Sequence, residues 1–165
     1  MATGEILAKF LTPVTVTITL TSLANAAGRI GTEIDNTTVR ATRGYFALKF
    51  KSATAPTVNT PLKIYLIKNS GAATNIQAGV QSNTSYTPLG ATDAAVTVEP
   101  LNAQLLDVAQ VTATANAFYT LITEIVMDPG PKFSPLVWNA IGQALSATAG
   151  DFLMQWVPLI DEIQP

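Results

Sequence analysis

The sequence predicts an all-β protein: a single-domain antiparallel β-sandwich, jelly-roll-like, of about eight strands behind a short N-terminal arm. Three observations carry this expectation. Apolar residues alternate with polar or small ones at period two in segment after segment, the pattern of half-buried strands. Turn-forming residues separate those segments at short intervals. No segment keeps a 3.6-residue period long enough to build a helical layer. The chain has 165 residues, enough for one sizeable core, and neither a long linker nor a fixed-period repeat divides it.

Residues 1–12 read as the arm and 13–165 as the sandwich. The arm carries Ile6, Leu7, Phe10 and Leu11. It is too apolar for a free tail and too short for a stable isolated helix. Pro13 disfavours helical geometry at Thr12 and so separates the arm from the first strand. That strand is "PVTVTITLTSL", with Val14, Val16, Ile18 and Leu20 on one face and Thr15, Thr17, Thr19 and Thr21 on the other. A face made only of threonine suits another subunit or a second strand layer, through cross-strand hydroxyl and methyl contacts; it is also tolerated in water.

After the "NAAG" turn, "RIGTEIDN" alternates Ile30 and Ile34 with polar residues, and "DNTT" turns the chain again. "RGYFALKFK" sets Phe46, Leu48 and Phe50 on one face and Tyr45, Ala47, Lys49 and Lys51 on the other. Beyond a Pro-bounded loop, "LKIYLIK" turns Leu62, Ile64 and Leu66 inward. Lys63, Tyr65 and Ile67 then point outward, and that apolar outer pair suggests a second covering surface and, with the low charge, more area to bury than one sandwich provides, hence a homo-oligomer, a trimer first. Residues 69–89 are polar and turn-rich and read as a long loop or loose hairpin, a kind of segment that is often functional. "AAVTVEP" gives a short strand with Val96 and Val98. Residues 103–128 hold enough alanine for a helix, but the alternation and β-branched content of Phe118–Met127 favour a strand there. "DPGP" breaks the chain at Asp128–Pro131. "FSPLVWN" and "FLMQWVPLI" are the last strands, joined by the Gly-bearing "AIGQALSATAGD".

Composition removes most chemistries. Charged residues are 12% of the chain, about half the usual share, so the surface is unusually uncharged. The net charge is −2, and the basic residues are scattered, which argues against nucleic acid. The one local cluster, Arg40, Arg43, Lys49 and Lys51, reads as a solvated or interface face. There is no histidine and no cysteine, so no disulfide, no imidazole or thiolate metal site and no Ser-His-Asp or Cys-His nucleophile is available. No phosphate-cradling glycine loop is present. No apolar run reaches the ~20 residues that span a bilayer, and no cofactor is implied. The N-terminal stretch copies a secretory leader poorly, with Glu5 where a basic region belongs and Pro13 within a threonine-rich core.

Paired carboxylates remain the one catalytic option. Glu99, Asp107, Glu124 and Asp128 are candidates by type, Glu124 foremost for its apolar strand, against an ordinary edge or interface position. Asp128 and Asp151 could contribute to a shallow calcium site, but no calcium-loop motif supports one. Tyr45, Tyr65, Tyr86, Trp138 and Trp156 could stack on sugars, Tyr86 best placed; for the two tryptophans the core is the more natural home. Asn36 and Asn83 match the glycosylation acceptor pattern, as chance provides in a chain this rich in Asn, Ser and Thr.

Two segments together, "TVTITLTSLANAAGRIGTEIDNT" and "FSPLVWNAIGQALSATAGDFLMQWVPLIDE", resemble small structural proteins of tailed bacteriophages, and within these the head decoration (cement) proteins. The resemblance covers about half of the chain, contains no catalytic signature and transfers no individual functional residue. It implies a non-enzymatic, β-rich, often trimeric virion subunit that clamps capsid subunits from outside. Its implied partners are the major capsid protein or other virion subunits, and its implied location is the particle, assembled in the host cytoplasm. Low charge agrees with broad subunit interfaces, whose cores are depleted of charge. Ile6, Leu7, Phe10, Leu11, Tyr65 and Ile67 are the candidate partner-binding residues, with no catalytic, cofactor or metal residue. The alternative is a carbohydrate-binding module or adhesive tail-fibre domain, which would present two or more exposed aromatics across a groove.

Overall fold

In the computed structural model, the period-two patterns become strands that pair only antiparallel. The structure describes residues 5–69, 79–81, 86–88, 93–100 and 102–164. In chain order the strands are β1 (Glu5–Phe10), β2 (Val14–Thr15), β3 (Ala27–Ile30), β4 (Ile34–Asp35), β5 (Arg43–Lys51), β6 (Pro61–Asn69) and β7 (Gly79–Gln81). They continue with β8 (Tyr86–Pro88), β9 (Ala94–Val96), β10 (Gln104–Gln110), β11 (Phe118–Ile122), β12 (Val126–Met127), β13 (Lys132–Asn139) and β14 (Leu153–Gln164). One sheet, A, has the order β1-β14-β5-β11, with β2 also on β14 and β12 also on β5. The other, B, has the order β10-β6-β13-β3-β9, with β4 also on β13. β7 and β8 form a small separate ribbon within the expected long loop.

The core lies between sheets A and B. Phe46, Leu48 and Phe50 of β5 and Met154 and Trp156 of β14 meet Leu62, Ile64, Leu66, Phe133 and Val137 of sheet B. At its centre the Trp156 ring lies 4.9 Å from both Phe46 and Phe133, centroid to centroid. Each such side chain contributes about 1.5–3 kcal/mol by burial, and aromatic pairing adds about 0.5–1.5 kcal/mol per pair.

A second cluster covers the opposite face of sheet B: Ile30, Tyr65, Ile67, Val96, Leu136 and Trp138. It explains why β13 is buried on nearly every residue. The chain itself supplies a cover. β9 lies at one edge of sheet B and β10 at the other, so the connection between them crosses this face. Glu99 in that connection bonds Lys63 and Tyr65 of β6. The second covering surface expected over Tyr65 and Ile67 therefore exists within the chain. At 7% and 0% exposure, these two candidates are core residues and offer nothing to a partner.

Several elements differ from expectation. Fourteen strand segments are described, where the alternation suggests about eight, because irregularities interrupt several of them. Gln104–Gln110 is a strand despite its alanine-rich surroundings. The strand expected over Phe118–Met127 splits in two around Thr123, whose buried hydroxyl accepts from Phe46 N–H at 3.0 Å. Val98 lies beyond β9 and is exposed. The segment expected as an arm is, over Glu5–Phe10, the edge strand of sheet A, paired residue for residue with the C-terminal half of β14.

The threonine segment leaves sheet A after β2 and bridges to sheet B: Val16 N–H donates to Met154 O, and Thr32 N–H donates to Thr17 O. Val16 and Leu20 are buried while Thr15, Thr17 and Thr19 are exposed. Its threonines line an open seam, and Thr19 bonds Asp93, which also pairs with Arg29.

Candidate functional site

The outer face of sheet A carries six of the thirteen large apolar side chains that are exposed among the described residues. On β5 the inward residues are even-numbered, so Arg43, Tyr45, Ala47, Lys49 and Lys51 face out. The register adds Leu153, Val157 and Leu159 of β14, Phe118 and Ile122 of β11, and Met127 of β12. Phe10 of β1 pairs with Leu159 and packs edge-on against Tyr45 at 6.5 Å. Ile6, four pairs further along, shares that face.

Ile6, Phe10, Phe118, Ile122, Met127 and Leu153 are each 43–67% exposed. At full areas of roughly 150–250 Å² per large side chain, they present on the order of 600 Å² of apolar surface. This matches the largest patches of ordinary monomers, which are often functional. The charges on the face are engaged locally. Lys49 and Lys51 lie 5.5 and 5.0 Å from the Phe118 ring centroid, Lys51 also pairs with Asp151 at 3.5 Å, and Arg43 pairs with Asp161.

Of the expected partner-binding residues, Ile6, Leu7 and Phe10 are exposed and Leu11 is half-buried at the sheet edge. Sequence reasoning missed Phe118, Ile122, Met127 and Leu153. Their strands are apolar on both parities, so alternation alone does not say which face is the core.

The four carboxylates singled out by the sequence stand in the β9–β10 connection, on β10, between β11 and β12, and just after β12. Glu99 sits over sheet B with Lys63 Nζ at 2.7 Å and the Tyr65 hydroxyl as a second donor. Burial pushes its carboxyl up, but the bonds from Lys63 and Tyr65 outweigh this and hold it below the ordinary value. Burial and the contact with Glu99 raise the Tyr65 phenol well above its usual range. Asp107 accepts from Val108 N–H, and Glu124 is an exposed residue between β11 and β12. Asp128 holds a left-handed backbone conformation at the end of β12. Asp151 is engaged by Ser146 and Lys51, and among the described residues no three metal-ligating side chains cluster.

Trp138 and Trp156 are core residues, at 6% and 2% exposure. Among the described residues, the exposed aromatics, Phe10 and Phe118, sit on strands at opposite edges of one sheet face rather than across a groove. Asn36 is buried, its side chain bonded to Ala41 and Gly130. Asn83 and the side chain of Tyr86 lie outside the described residues. Comparison with known protein families, characterised proteins and solved structures finds no match.

Proposed function

We propose that the protein is a non-enzymatic structural subunit of a phage particle, a decoration protein that stabilises the shell by binding across capsid subunits. The observation that carries this reading is the outer face of sheet A. A broad apolar surface with its few charges already paired suits a lasting protein interface better than a catalytic or sugar-binding cleft. A standard interface buries about 800 Å² per partner, and roughly 600 Å² of exposed apolar side chain is a fitting core for one.

The strand pairing supports a jelly-roll reading of the fold. Counting β1 with β2, β3 with β4, and β11 with β12 as single interrupted strands, and setting β7–β9 aside as an insertion, leaves eight strands. The sheet orders then become 1-8-3-6 and 2-7-4-5, the connectivity of two Greek keys in a jelly roll. That architecture serves viral capsid and lectin domains alike, so the face, not the fold, favours the virion. The sequence resemblance points the same way and implies a trimer.

Mass spectrometry of purified particles, with copy number, tests the reading. The expected result is a stoichiometric virion component whose addition to shells lacking it raises their melting temperature. Absence from particles, or binding to glycans rather than shells, overturns it.

A further inference from the structure

We draw no further inference here: the strongest candidate, the cavity of about 170 Å³ between β2 and β4 lined by Val14, Ile34 and Trp156, carries nothing, because its two carboxylates, Glu33 and Asp35, already pair with Lys132 and nothing in the structure shows what fills it.

Discussion

The indole of Trp156 occupies the space where a side chain on Gly44 would begin. A Cβ at position 44 would come within 2.3 Å of Trp156 Cζ2 and 2.6 Å of the Val157 carbonyl oxygen. The backbone of β5 and the largest ring of the core are thereby fitted to each other. Gly44→Ala should destabilise the protein by about 1–3 kcal/mol through overpacking, seen as a fall of several degrees in Tm. An unchanged Tm would show that the ring has room to move.

Asn36 organises a loop from the inside. Its Nδ2 donates to Ala41 O and Gly130 O, each at 3.0 Å, and its Oδ1 accepts from Ala41 N–H at 2.8 Å. Asn36→Ala leaves those backbone groups without their partner, at a cost of about 1–3 kcal/mol. Because the side chain is 8% exposed, the acceptor motif at this position should stay unmodified when the chain is secreted from a glycosylating host. Intact mass measurement of the tryptic peptide checks this, and a glycan on Asn36 would contradict the burial.

Stability should be nearly flat between about pH 5 and 8, where no unperturbed side chain of this chain titrates. Burial pushes the Asp93 carboxyl up, but bonds from Arg29 and Thr19 outweigh it and hold Asp93, like Glu99, below the ordinary value. A lowered folded value means the contribution is complete above the unfolded carboxylate value of about 4 and is lost as pH falls through the folded one. The raised Tyr65 phenol works in the opposite sense: its contribution is complete below about pH 10 and is lost as pH rises beyond it. Melting curves across pH should therefore form a plateau with acid and alkaline shoulders, unmoved by EDTA. A shift of several degrees on adding the chelator would reveal a metal site.

The outer face of sheet A should matter for binding and not for folding. Phe118→Ser combined with Ile122→Ser removes two side chains that are 56% and 60% exposed. The variant should keep its Tm within a few degrees, because surface changes of this kind cost little. Its affinity for shells should fall at least tenfold, since truncating interface anchors costs upwards of 1–2 kcal/mol each. Undiminished binding would move the interface elsewhere on the molecule.

How far the sequence reveals this arrangement depends on the element. β5 is legible because its alternation is strict: Phe46, Leu48 and Phe50 are fully buried and Tyr45, Ala47 and Lys49 are not. β6 is legible as an element covered on both sides, since Tyr65 and Ile67 are apolar where a solvated face would be polar. What covers it is not legible, because the segment bearing Glu99 reaches β6 only through the sheet order. β10 is hidden by "QLLDVAQ", which fits a helix or a strand equally by pattern and is settled by pairing with β6. At the candidate surface, Ile6 and Phe10 stand out because their segment is isolated by Pro13. Leu153 does not, because β14 is apolar on both faces and only its packing against Phe46 and Phe133 makes Trp156 the inward side.

Deleting residues 1–12 should leave a folded sandwich. β14 keeps its pairing with β5 from Leu153 to Leu159, and the Phe46–Trp156–Phe133 cluster loses no neighbour from β1. What disappears is a six-pair ladder whose described side chains are exposed, together with the Lys9–Glu162 ion pair at 3.2 Å. An exposed pair of this kind contributes about 0–1 kcal/mol. The expected result is a β-rich circular dichroism spectrum, a Tm lowered by a few degrees, and weaker attachment to shells or to a partner subunit. Unfolding on deletion would make β1 part of the cooperative core. A folded deletion variant whose binding is unchanged would show that β1 is not the anchor and leave the rest of the outer face of sheet A as the remaining surface.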